Sequence, residues 1–275
     1  MLKIANIALT FLGTAVSAGN TEEWKRRSVY QVLTDRFAGG NNGDMHGYLG
    51  GNYNAMTEKL DYIKGMGFDA IWISPVVDNI EPGYHGYWAR NWEEVNQHFG
   101  TEDDLHNMIK AAHDKGIWVM VDVVANHVGP VGNDFSQIYP LNQSYHYHEN
   151  CDINWGDQNS VENCRLAGLP DLAQENPYVR QYLKDWIHNL VQKYDFDGIR
   201  IDTIPEVPKD FWREYGEAAG VFQMGENFNG DPGYVGDYQN YLTGLFNYPM
   251  YFTIRDVWQN GQSMYGITSR YQQEG

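Results

Sequence analysis

Cysteine is nearly missing from this chain: 275 residues hold two, Cys151 and Cys164. A framework of several disulfides is thereby excluded, and only one intrachain pairing is possible. Positive charge is also scarce. Lys and Arg together number 19 against 36 Asp and Glu, a formal charge of −17. That balance argues against duplex nucleic acid, whose binding is dominated by cations that neutralise phosphates. After the N-terminal stretch no segment is apolar for long enough to cross a bilayer, and no internal tract is of low complexity. What is present is a foldable composition, 42% hydrophobic, with aromatics at 15%. The 9 Trp and 20 Tyr exceed what packing alone needs. Such flat, amphipathic side chains suit sugar rings or protein interfaces, so an uncharged polymeric partner fits best. The length suffices for one large α/β domain or two smaller ones.

The N-terminus has its own pattern. Lys3 precedes a mostly apolar run over 4–16, and Val16-Ser17-Ala18 leads into polar Gly19-Asn20-Thr21. A short positive start, an apolar stretch too short for a membrane helix and a small-residue ending describe a cleavable secretory signal over 1–18, with the mature chain starting near Gly19. The expected location is extracellular. In that oxidising setting Cys151 and Cys164 are expected to pair, and Asn142-Gln143-Ser144 is a glycosylation sequon.

Beyond the signal, strand-like and helix-like segments alternate. Strands are expected over 29–37, 70–76, 117–125, 198–203, 221–227 and 245–248. Helices are expected over 53–66, 102–115 with Thr101 as cap, 177–194 with Pro177 in the first turn, 209–219 and 250–259. Repeated βα units imply a parallel sheet, closed as a barrel or doubly wound. Residues 128–171 break the rhythm. They are rich in Asn, Tyr and Pro, hold both cysteines and the sequon, and follow the third strand, so they read as an excursion on the loop face.

Chemistry concentrates at strand ends. In Gly198-Ile199-Arg200-Ile201-Asp202 a period of two puts Arg200 and Asp202 on one face of a buried strand. Such charge burial marks a paired structural bridge or an active site. The next strand ends in Gly225-Glu226, placing a second carboxylate on the rim where βα folds carry their catalysis. Any one strand-end acid is more often a salt bridge or a cap; two on neighbouring strands can divide into nucleophile and proton donor. His146 and His148 form no familiar zinc pattern and read as loop residues.

Three segments in order, Asp122-Val123-Val124-Ala125-Asn126-His127, Gly198 to Thr203 and Gly225-Glu226, closely resemble the motifs of glycoside hydrolase family 13. Tyr84-His85-Gly86-Tyr87-Trp88, Val161-Glu162-Asn163-Cys164 and Leu169-Pro170-Asp171-Leu172 make the chain similar to the fungal-type α-amylases. The resemblance implies a (β/α)8 barrel, a small domain after strand 3 at 128–171, and retaining endohydrolysis of α-1,4-linkages in starch, glycogen or related α-glucans. By the same resemblance Asp202 is the nucleophile and Glu226 the acid and base, with Arg200 as the counter-charge beside the nucleophile. His127 and His85 would bond sugar hydroxyls, Tyr87 would stack on the ring, and Trp88 would stand in or beside the site. A calcium ion would be held by Asn126, Glu162, Asp171 and the backbone carbonyl of Glu206. No nucleic acid or membrane partner is implied, and the completed barrel is expected to be a monomer.

Two departures stand out. Where these amylases have Lys-His after Asp-Thr-Val, this chain has Pro205-Glu206, which removes a lysine that reaches leaving-group-side sugars. The family's fourth motif, of the Asn-His-Asp type, does not occur before Gly275; about six of eight βα units are counted, and the C-terminal β-sandwich is absent. The expectation is an α-amylase, incomplete as it stands, whose residues 19–275 alone fold poorly and are nearly inactive. The alternatives are a non-catalytic glucan-binding or interaction protein derived from one, and an α-glucosidase or glucan-transferring relative.

Overall fold

Alternation along the central strands separates two packing layers. The computed structural model describes residues 21–40, 43 and 45–274; the signal reading of 1–18 lies outside them. Eight strands occur in the described residues: β1 (Val29–Val32), β2 (Ala70–Ile73), β3 (Val77–Asn79), β4 (Ala89–Val95), β5 (Trp118–Val123), β6 (Gly198–Ile201), β7 (Phe222–Gly225) and β8 (Gly244–Leu245). Six form one parallel sheet in the order β1-β2-β5-β6-β7-β8, each beside its predecessor in that sheet. The result is a half-barrel, as expected of an incomplete (β/α)8 fold. Odd-numbered Ile71, Ile73, Val119, Val121, Ile199 and Ile201 pack outward in the large core, which includes Leu105, Ile109, Leu183, Ile187 and Trp212 of the surrounding helices. Even-numbered Ala70, Met120 and Phe222 face the other way and form a second, smaller cluster with Trp24.

Trp24 seals the N-terminal end of that inner layer. Its ring stacks on Phe222 at 5.2 Å, meets Trp118 edge-on, and its Nε1 donates to the Asp197 carbonyl at 3.2 Å. Gly198 makes room for it, because a Cβ there would lie 2.8 Å from the indole.

The helices over Pro177–Tyr194 and Lys209–Ala219 form as expected, and Glu102–Asp114 has a full capping box between Thr101 and Asp104. Several expected boundaries need correction. The strand expected over 29–37 ends at Val32 and gives way to the helical turn Thr34–Phe37, because the buried Asp35 carboxylate accepts from Leu49 and Gly50 N–H groups and turns the chain inward. The helix expected over 53–66 splits into Tyr53–Thr57 and Leu60–Gly65, where Lys59 N–H bonds the Met56 carbonyl three residues back and tightens the turn. The sixth strand is only Gly244–Leu245, and the following helix starts at Tyr248, capped by Asn247 with Pro249 in its first turn. The antiparallel pair β3–β4 was not foreseen; the His85 segment is the connection between its strands.

Residues 128–171 hold three 3₁₀ turns and the helix Gln158–Asn163. Cys151 and Cys164 are joined, with Cα atoms 4.9 Å apart. Closing that short loop stabilises by about 3 kcal/mol in the chain-entropy estimate. Among the described residues no helix is long and apolar enough to cross a membrane.

Candidate active site

Strand register brings the charged residues together. Asp122 on β5 lies level with Arg200 on β6, and Asp202 and Glu226 follow directly after the ends of β6 and β7. All four are on the even-numbered, inward face. Arg200 Nη1 bonds Asp122 Oδ1 at 2.9 Å and Asp202 Oδ1 at 2.7 Å, and its Nη2 meets Glu226 Oε2 at 2.8 Å. One guanidinium therefore spans three carboxylates, and the Arg200, Asp122 and Asp202 side chains are buried. Burial of this kind persists where the charges are paired, as both terminal nitrogens of Arg200 are here.

Glu226 is further fixed by the backbone. Thr203 adopts a left-handed conformation at φ 49°, and its N–H donates to Glu226 Oε2 at 3.1 Å. A non-glycine residue held there is strained, and such strain clusters at functional sites. Burial raises the Glu226 carboxyl above its ordinary range, with Arg200 pulling the other way and the Asp202 charge adding to the rise. A carboxyl raised by burial can hold the proton that acid catalysis requires.

The aromatic and imidazole groups converge on the same place. Tyr87 Oη donates to Asp122 Oδ2 at 2.8 Å, and Trp72 Nε1 donates to the same oxygen at 3.0 Å. His85 Nδ1 accepts from Tyr87 N–H at 3.0 Å, and its ring lies nearly parallel to that of Tyr87. Trp88 stands edge-on to His85, centroids 4.7 Å apart, with its N–H tied to Asn79. His127 is fully enclosed, its pKa pushed down to about 4 by burial, and its Nε2 donates to the Tyr87 carbonyl at 3.2 Å.

That tautomer decides how its neighbour turns. With the proton on Nε2, His127 Nδ1 is an acceptor, and Asn126 Nδ2 donates to it at 3.2 Å. The Asn126 carboxamide oxygen then rests 3.0 Å from the Glu206 carbonyl and 2.9 Å from Asp171 Oδ1. Three oxygens meet. Glu162 is not among them; its carboxylate accepts from Gln158 Nε2 at 2.8 Å, an amide that also donates to the Pro205 carbonyl at 3.0 Å. Glu162 thus sits beside the turn that carries Glu206 without joining the three. Among the described residues no three His, Cys, Asp or Glu side chains form a metal-holding group.

A cavity of about 740 Å³ opens beside Glu226, lined by Trp155, Glu206, Asn227, Phe228 and Tyr234 among others. Burial raises the Glu206 carboxyl to about 8. Asn142 is exposed.

Comparison with known proteins decides the family. The family profile described as alpha amylase, catalytic domain, matches residues 31–241. This chain belongs to the α-amylase family. An α-amylase of Saccharomycopsis fibuligera is 41% identical over 85% of this chain and 52% of its own length. A β/α-amylase of Paenibacillus polymyxa is 45% identical over 90% of this chain and 22% of its own length. The solved structure of an α-amylase from Malbranchea cinnamomea superposes with a TM-score of 0.90 at 42% identity, covering 93% of this chain and 59% of that one. The chain thus spans about half the length of the fungal relative, and less of the bacterial one.

Within this α-amylase fold, reading the motifs missed two contributors. Asp122 opens the first motif and sits level with Arg200, so strand alternation could have revealed it as the guanidinium's inner partner. Trp72 gave no such signal, since its role depends on packing across two strands.

Proposed function

We propose that this chain carries the nucleophile and the acid–base of a retaining endohydrolase of α-1,4-glucans such as starch and glycogen. The observation that supports it most is the single Arg200 guanidinium bonded to both Asp202 and Glu226 at the C-terminal ends of adjacent parallel strands. Asp202 attacks C1 of the sugar and forms a glycosyl ester while the leaving oxygen takes the Glu226 proton. Glu226, now a carboxylate, removes a proton from water; the water oxygen attacks C1, and Asp202 departs as a carboxylate. The anomeric configuration is retained. His85 and His127, both neutral by burial, would bond sugar hydroxyls, and Tyr87 would offer its ring face with Trp88 behind His85.

The converging oxygens of Asn126, Asp171 and Glu206 suit a hard cation, and calcium is the reading they favour. Glu162 would complete the set. Bound there, the ion would tie the 128–171 excursion, a small domain in this reading, to the barrel of 19–275. Secretion directed by residues 1–18 and a glycan on Asn142 belong to the same reading.

The test is an exchange of roles. Asp202→Asn should abolish starch hydrolysis, a loss on the order of 10⁴-fold or more. Glu226→Gln should cost about 10²- to 10⁴-fold on starch and far less on substrates with good leaving groups. Undiminished hydrolysis by Asp202→Asn would sink the assignment.

A further inference from the structure

The two oxygens of Glu226 are not equivalent. Oε2 accepts from Arg200 Nη2 at 2.8 Å and from the Thr203 N–H at 3.1 Å, so its lone pairs are taken by two fixed donors. That leaves Oε1 to carry the carboxyl proton. The donor that faces Oε1 is the hydroxyl of Tyr248, whose Oη stands 3.4 Å away. The titratable and charged groups around Glu226 are Arg200 and Asp202 on and just after β6, His127 after β5, Glu206 in the 204–206 turn, and Tyr248. Of these, Arg200 works on Oε2 and Tyr248 on Oε1.

Local structure puts the hydroxyl there. Phe246 N–H donates to the Gly225 carbonyl at 3.1 Å, which ties the chain after β8 to the residue before Glu226. Asn247 then caps the helix Tyr248–Trp258, its side chain accepting from Met250 N–H at 2.9 Å, and buried Pro249 sets the first turn. Tyr248 is the first residue of that helix. Its half-buried ring meets Phe228 edge-on at 4.9 Å and lies 6.4 Å from Phe252, so packing holds the phenol independently of its hydroxyl. Burial, and after it the Glu226 charge, push the Tyr248 hydroxyl up to about 12. It therefore keeps its proton at any pH where a carboxyl does its work. A donor at 3.4 Å does little for a neutral carboxyl, but bonds to a carboxylate close to about 2.5–2.7 Å. The hydroxyl thus acts once Glu226 has given its proton to the leaving oxygen.

We propose that Tyr248 is a positioning residue for Glu226, which stabilises its carboxylate between the two steps of hydrolysis and so sets how readily its proton leaves. The step it serves rests on the hydrolase reading above. The test is Tyr248→Phe in the whole protein, which keeps the ring and removes the oxygen. Glu226 is titrated directly through the infrared band of its protonated carboxyl, identified as the band missing from Glu226→Gln. The midpoint should move up by about one pH unit in Tyr248→Phe, because the charged form loses a donor, with the melting temperature unchanged. The alkaline limb of the pH–rate profile should move the same way. On starch kcat/KM should fall about fivefold, and hardly at all on α-maltosyl fluoride, whose leaving group needs little protonation. A role in packing alone would instead lower the melting temperature and slow both substrates alike. An unmoved midpoint overturns the assignment, and in a parent that hydrolyses α-maltosyl fluoride it leaves the hydrolase reading standing. A midpoint that moves in a parent inactive on both substrates does the reverse.

Discussion

Two arginines in this molecule each gather several carboxylates, and they do opposite work. Arg200 binds Asp122, Asp202 and Glu226 inside the half-barrel, with 5% of its side chain exposed. Arg180 binds Asp210 and Glu214 on the outer surface, where those carboxylates are 72% and 43% exposed and Lys184 shares Glu214. At the surface both partners settle toward their charged forms: Arg180 and Lys184 hold the Glu214 carboxyl down to about 2. In the interior, burial raises Asp122 and Glu226 despite the cation. The same pairing therefore fixes charge where water is near and leaves it adjustable where water is excluded. Adjustable protonation is what an acid–base residue needs.

Arg200→Met breaks the comparison most severely. It leaves buried carboxylates unpaired and should cost about 3–5 kcal/mol in urea unfolding, together with the hydrolytic activity. Wild-type stability in that variant would mean the network is not structural. Asp122→Asn is the finer test. It keeps an acceptor for Trp72 and Tyr87 but frees Arg200 to act more fully on Glu226, so the alkaline limb of the pH–rate profile should move to lower pH, with a stability loss of about 1–3 kcal/mol. An unmoved limb would show that Asp122 does not tune the acid.

His113 supplies an intermediate case, 26% exposed, bonded to Asp197 at 2.8 Å. That bond raises its pKa in the folded state above 6.5. A group so raised stabilises fully below its unfolded pKa and loses that contribution as pH rises through the folded one. The melting-temperature gap between wild type and His113→Gln should be widest below pH 6.5 and close toward alkaline pH; a gap that widens there would reverse the assignment. Arg180→Ala should matter least, within about 1 kcal/mol and less in high salt. A larger loss would place the surface cluster in the same class as the buried one.

What the sequence disclosed follows from what is local. Helices with capping residues, such as Thr101 before Glu102–Asp114 and Pro177 opening Pro177–Tyr194, announce themselves because their ends are satisfied by neighbours in the chain. The pair Arg200 and Asp202 was legible for the same reason, being two residues apart on one strand. Trp72 was not, because its role depends on packing across two strands, and the division of 53–66 was not, because one tightened turn at Lys59 leaves the helical spacing of the apolar residues intact. Glu162 was named through the motif alone; nothing in its own spacing told that Gln158, one helical turn back, holds its carboxylate beside the 204–206 turn.

The indole of Trp24 carries a consequence for how this chain is made. Because each strand of the parallel sheet lies beside the one before it, the sheet can grow in the order of synthesis. Its floor cannot. Trp24 leaves the ribosome early, yet its carbonyl partner at Asp197 lies 173 residues later, a delay of roughly 9–35 s at about 5–20 residues per second. Until then the ring has only part of its seat, from Ala70, Trp118 and Met120, and lacks Phe222, on which it stacks. During that interval the nascent chain presents an adhesive surface at its N-terminal end, and this is where a holding chaperone would be expected to engage it.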